Sequence, residues 1–176
     1  KPFVLLATVP NFGYVEPRGC PQRKTKLGSP SRRFTYLNSL KAQGIEPCIV
    51  DGGDWLFHLN KLRSNPLVMK QMDEKAKLLI DAYNRFGTAA VCLGEHDMAL
   101  GLDRLLELAK ELKFPLLCAN MTLKDGTRPF GGSTIVESQG RKVLLVGAIQ
   151  IPNERFIGKH CPDAHFSDPY EAIKTA

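Results

Sequence analysis

The stretch Ala89-Ala90-Val91-Cys92-Leu93-Gly94-Glu95-His96-Asp97 decides the reading of this chain. A short apolar run ends in glycine and then in three polar residues able to bind or move protons. That order predicts a buried strand whose C-terminal tip opens onto chemistry. A second stretch, Cys48-Ile49-Val50-Asp51-Gly52-Gly53-Asp54, repeats the design. Two neighbouring parallel strands ending this way would carry Asp54, Glu95 and His96 to one edge of one sheet.

Working outward, Phe3 to Val9 reads as another buried parallel strand. Pro10 to Ser31 is rich in Pro, Gly, Lys and Arg and reads as a long loop. Ser31 is placed to cap a helix from about Arg32 to Gln43, with Phe34, Leu37 and Leu40 on its buried face and Gly44 as its stop. Pro66 begins a longer helix through Phe86, where Met72, Ala76, Leu79, Ile80 and Tyr83 recur at helical spacing and Gly87 ends it. Leu102 to Leu112 predicts a third helix. Pro115 to Met121 predicts a further strand with Asn120 near its tip. Ser133–Glu137 and Lys142–Ile149 predict a hairpin around Gly140. From Ile151 onward mostly loop is expected, until Asp168-Pro169 opens the first turns of a helix. The expected class is α/β, a mostly parallel sheet with flanking helices and a β-hairpin.

The 176 residues, 43% apolar and 24% charged, suit one globular domain with a real core. The formal charge of +6 is compatible with anionic partners, phosphates included. The densest basic run, Arg18 to Lys26 with Arg32 and Arg33 after it, has no interleaved aromatics, so no nucleic-acid polymer is expected. No apolar run is long enough to span a bilayer. A chain starting at Lys1 is expected to be trimmed or processed, and a periplasmic or extracellular location is the expectation. Cys48, Cys92 and Cys118 sit in apolar runs and read as small hydrophobes. Cys20 and Cys161 are expected in loops, as the disulfide or metal candidates. There is no CxxC, hence no signal for a zinc ribbon or covalent haem.

Gly53-Asp54 and Gly94-Glu95-His96-Asp97 resemble the GD and GNH(D/E) motifs of the calcineurin-like metallophosphoesterases, most closely the 5'-nucleotidase branch. The resemblance extends over Gly13 to Pro17, Gly28 to Leu40, Ala119-Asn120 and the Ser133–Ile149 hairpin. It implies half of a four-layer αββα metallophosphoesterase sandwich. It also implies phosphomonoester hydrolysis of a phosphate ester or nucleotide by two divalent metals (Mn, Zn or Fe), about 4 Å apart. Under it Asp54 would bridge the metals, and Glu95 would stand where the family's Asn ligates. His96 would stabilise developing charge or protonate the leaving group, with Asp97 orienting it.

Two departures oppose this activity. The family's first motif is Asp-x-His, and the matching positions here are Pro10 and Phe12, which have no lone pair to give a metal. The family's later ligand histidines have no counterpart before Ala176. Residues 1–176 are therefore expected to be a domain truncated before its C-terminal half, with the remaining half or a partner chain covering an open sheet face.

Each residue also has a plainer reading. Asp51 and Asp54 could cap backbone N–H groups in a turn, His96 could hydrogen-bond inside the fold, and Glu95 could face solvent. His58, His160, Cys161 and His165 read as loop residues. Two functions stay open: a metal-dependent phosphomonoesterase using Asp54 and His96, impaired or lost here, and a non-catalytic binding or scaffolding domain that holds no metal. Association with a c-type haem protein is a further alternative resting on resemblance alone.

Overall fold

A computed structural model of the chain describes residues 3–8, 10–17, 28–58 and 65–176. Four strands, β1 (Leu5–Thr8), β2 (Cys48–Asp51), β3 (Thr88–Cys92) and β4 (Leu116–Leu117), pair in parallel in chain order. Three helices make the crossovers: α1 (Pro30–Ala42), α2 (Pro66–Phe86) and α3 (Leu102–Ala109). A parallel pair needs such a crossover, because a tight turn can only reverse the chain.

Helix α2 is the main pillar. The Asn65 side chain accepts the Leu67 N–H at 2.9 Å, Pro66 supplies a preset first position, and Gly87 ends the helix in the left-handed region at φ 73°. Its buried face is Ala76, Leu79, Ile80, Tyr83 and Phe86. Tyr83 packs against Trp55 with ring centroids 4.3 Å apart. Each large side chain buried here contributes about 1.5–3 kcal/mol, so this face anchors the helix to the sheet. Helix α1 is held more loosely. Ser29, not the expected Ser31, caps it by accepting the Arg32 N–H, and Phe34, expected inward, is 45% exposed.

The last third departs most from expectation. The run Pro115–Met121 is not one strand: β4 leaves the sheet after two residues, and β5 (Met121–Leu123) pairs antiparallel with β8 (Ala164–Phe166). Asn120, between them, is buried. Its Nδ2 donates to the Ile149 and Ser167 carbonyls at 2.8 and 3.0 Å, and its Oδ1 accepts the Ile149 N–H at 3.0 Å. These bonds redirect the chain. The hairpin forms as expected, from β6 (Ser133–Ser138) and β7 (Arg141–Val146) around Gln139-Gly140. The loop expected after Ile151 instead holds α4 (Glu154–His160), capped by Asn153, and then β8; α5 (Pro169–Thr175) follows where expected.

The Gln139 side chain stitches the hairpin tip to the foot of the sheet. Its Oε1 accepts the Val4 N–H at 2.9 Å and its Nε2 donates to the Val4 carbonyl at 3.0 Å. The Val4 carbonyl also accepts the Cys48 N–H at 2.9 Å, so the Gln139 amide adds to the ladder where β1 and β2 begin to pair. One face of the hairpin stays open. Ile135 and Leu144, directly cross-strand, are 66% and 58% exposed.

Candidate active site

The tips of β2 and β3 lie side by side, with Asp51 opposite Val91. Beyond them the two glycine turns pack backbone to backbone. A Cβ on Gly53 would sit 2.7 Å from the Cys92 carbonyl oxygen, and one on Gly94 would run into the Asp54 amide and carboxylate. Only glycine lets the turns approach this closely.

Two carboxylates then lock the turns reciprocally. Asp54, at φ 55°, accepts the His96 N–H on Oδ1 at 2.7 Å. Asp97 reaches back the other way. Its Oδ2 accepts from the Asp54 and Gly94 amides at 3.0 and 2.9 Å, and its Oδ1 accepts from Trp55 and Leu56 at 2.8 and 2.9 Å. Asp97 is fully buried, and burial pushes its carboxyl up to about 7, against the pull of the Leu56, Gly94 and Trp55 amides. The sequence expectation for Asp97 is that it orients the His96 ring. Its acceptor positions are taken by four backbone amides, so it shapes the turn that carries His96. No sequence signal marks this, because three of the four amides lie more than forty residues away.

Asp54, Glu95 and His96 do come to one sheet edge. The Pro10–Gly13 segment is docked there too, through Phe12 N–H to the Asp54 carbonyl at 2.8 Å and Gly13 N–H to that of Trp55 at 3.1 Å. The Phe12 ring packs on the His96 ring at 4.9 Å between centroids. His96 Nδ1 is buried and has no hydrogen-bond partner. His58, expected to be an ordinary loop residue, lies beside this cluster, 6.2 Å from Phe12, 5.6 Å from Tyr14 and 6.4 Å from His96 between centroids.

These donors do not fit a two-metal centre. Asp54 spends one oxygen on an amide, Pro10 and Phe12 donate nothing, and a hydrocarbon ring covers His96. Among the described residues, no three His, Cys, Asp or Glu side chains are grouped so as to hold a metal. Glu95 is half-buried. Its charge adds to the burial that pushes the Cys161 thiol up to about 11. Cys161 lies as expected in the connection that follows α4, but it is buried and free, and the four described cysteines are all free. His160, likewise buried, ends α4 with its ring 4.5 Å from that of Phe156, while His165 is exposed on β8. Cys20 lies outside the described residues.

Behind the edge sits a cluster that motif reading underrates. Asp51 accepts from the Thr8 hydroxyl, from the Tyr83 hydroxyl at 2.8 Å and from the Gly53 N–H at 3.0 Å, with Arg33 at 3.9 Å. Burial raises its pKa, and those bonds and the Arg33 charge pull it back. Asp51 therefore ties β1, β2 and α2 together rather than merely capping its own turn.

No family model matches the chain. A curated 5'-nucleotidase of Vibrio vulnificus is 27% identical over 152 residues, covering 81% of this chain and 25% of that protein. The 5'-nucleotidase precursor of Thermus thermophilus superposes with a TM-score of 0.77 at 23% identity, over 98% of this chain and 33% of that one. A calcineurin-like phosphoesterase of Bacillus subtilis superposes with a TM-score of 0.71 at 19% identity, over 98% of this chain and 56% of that one. The chain thus spans only part of the length of each.

Proposed function

We propose that this chain, which has the calcineurin-like phosphoesterase fold of the 5'-nucleotidases, belongs to a domain whose own residues no longer run two-metal phosphomonoester hydrolysis. It acts instead as a binding or scaffolding module. The observation that carries this reading is the Phe12 ring on His96, in a motif whose other matching position is Pro10. Ligand chemistry supports the proposal: a two-metal site needs several lone-pair donors per ion, and this edge offers Asp54, Glu95 and His96. Their shared edge favours the rival, a phosphate-ester or nucleotide hydrolase completed by donors from outside residues 1–176.

The domain is completed by further polypeptide, from the same chain or a partner. The greater length of the relatives and the open hairpin face of Ile135 and Leu144 support this. No helix among the described residues is long and apolar enough to cross a membrane. A periplasmic or extracellular location suits a chain similar to a protein described as a precursor.

Metal analysis of the full-length protein, with assays on p-nitrophenyl phosphate and AMP, separates the two functions. The proposal expects no stoichiometric metal and no hydrolysis in the presence of Mn, Zn or Fe. Near-stoichiometric metal that is lost with Asp54→Asn, together with turnover, would establish the hydrolase instead.

A further inference from the structure

Strand β1 stands at one end of the parallel sheet, and among the described residues it pairs with β2 alone. The pairing uses every second residue. The Val4 carbonyl accepts the Cys48 N–H at 2.9 Å and the Thr8 carbonyl accepts the Gly52 N–H at 3.0 Å, which turns Val4, Leu6 and Thr8 toward β2. Leu5 and Ala7 then present their N–H and C=O groups outward. None of these four groups is hydrogen-bonded to another described residue. Both residues are exposed, Leu5 at 51%, whereas Leu6 packs on the core.

A bare sheet edge recruits any extended segment, so folded proteins blunt it with charged side chains, proline or a bulge, or cover it with chain. Strand β1 has none of the first three. Leu5-Leu6-Ala7-Thr8, and Phe3-Val4 before them, carry no charge and no proline, and the register with β2 runs without a bulge. A cover remains. We propose that a β-strand from the part of this protein outside residues 1–176 adds to the outer edge of β1. Its carbonyls accept from the Leu5 and Ala7 amides, and its amides donate to their carbonyls. The greater length of the relatives leaves ample chain for such a strand. A strand carried on the same polypeptide meets the edge at high effective concentration, and so outcompetes a second copy of the molecule. The inference rests on the reading that further polypeptide completes the domain, and it says where one strand of it goes.

Residue-resolved amide hydrogen exchange on the full-length protein is the test. A bare edge gives an alternation, with Leu6 and Thr8 protected by β2 while Leu5 and Ala7 exchange freely. A covered edge protects all four. Leu5 and Ala7 should exchange about a hundredfold or more slower than an open amide, at a rate independent of protein concentration. Ala7→Pro is the matching variant. The Ala7 N–H takes no part in the pairing with β2, and proline is tolerated on a free edge, so the parallel sheet survives. The variant removes an outward donor and sets a ring against the incoming strand. Exchange at Leu5 should then quicken about tenfold or more, the loss of roughly one hydrogen bond. Free exchange of Leu5 and Ala7 in the native protein overturns the proposal, as does Leu5 protection unchanged by Ala7→Pro. If Ala7→Pro fails to fold, the native pattern decides. Protection that disappears on dilution, alongside a dimer in sedimentation, would give the edge to a second copy and overturn it too. Free exchange at this edge with a destabilising Leu144→Lys would sink the strand alone, whereas free exchange with a neutral Leu144→Lys would sink the reading beneath it.

Discussion

Replacing Gly94 by alanine tests the backbone-to-backbone packing at the sheet edge. Gly94 is not in the left-handed region, so alanine suits its backbone and the effect is steric. The new methyl meets the Asp54 backbone nitrogen and carboxylate, neither of them the free end of a long side chain. The turns must part by about 1 Å or more to reach ordinary van der Waals contact. Parting them strains two bonds, His96 N–H to Asp54 and Asp54 N–H to Asp97. Each buried group left unpaired costs about 1–3 kcal/mol, and overpacking adds about 1–3 kcal/mol. Because the two bonds are strained rather than both fully broken, a loss in the lower part of that sum, about 3–6 kcal/mol, is expected, a large share of the roughly 5–15 kcal/mol that holds a typical domain together. Trp55, the one tryptophan in the sequence, is fully buried and donates its own amide to Asp97, so its fluorescence reports on this edge. With a urea slope near 2 kcal/mol/M, the midpoint should fall by about 1.5–3 M. Gly158→Ala in α4 is the control: its Cβ would meet nothing within 4 Å, and it should stabilise by up to about 1 kcal/mol. A Gly94→Ala protein within about 0.5 kcal/mol of the native one, a change typical of a neutral surface site, would refute the close approach of the turns.

Other consequences can be measured separately. Burial holds the Asp97 carboxyl near 7 rather than its ordinary 3.8, so the folded state keeps the proton more tightly than the unfolded chain. The stability this gives is full below about pH 4 and is withdrawn as pH climbs to about 7, with Asp51 adding the same sign. The unfolding free energy should therefore fall across that window, and Asp97→Asn should flatten the fall by up to about 4 kcal/mol; parallel curves for the two proteins would refute it. Asn120→Ala leaves both backbone groups of Ile149 and the Ser167 carbonyl without their side-chain partner. It should cost about 2–4 kcal/mol in urea unfolding and speed amide exchange in β5 and β8; unchanged exchange would count against the clamp. Leu144→Lys in the full-length protein should destabilise by about 2 kcal/mol or more if further polypeptide covers the hairpin face, and a neutral result would mean that face is solvated.

Much of the fold is legible in the residues because its signals are local. The apolar runs at Cys48 and Ala89, the Asn65-Pro66 start and the Gly87 stop of α2, and the turn at Gly140 each act within a few positions. The missed elements lack that reach. Helix α4 spans seven residues and β8 three, too few for a period to stand out. Phe34 looked inward by spacing, yet α1 buries Leu37 alone. At the site, the gathering of Asp54 and His96 follows from two parallel strands of one design. The partners of Asp97 and Asp51 do not follow, because they come from β1, α2 and the opposite turn. Pro10 and Phe12 show in the sequence that donors are missing, but only coordinates show what Phe12 rests against.

The Val4–Gln139 stitch bears on the order in which the molecule assembles. Its two bonds join residues 135 positions apart. Loop-closure entropy makes such a contact a late event, formed after the crossover helices have brought their strands together. During synthesis the first strand emerges well before the hairpin tip that fastens its foot. Until Gln139 arrives, Val4 is tied to β2 through the Cys48 N–H, and that end of the nascent sheet waits for its second fastening.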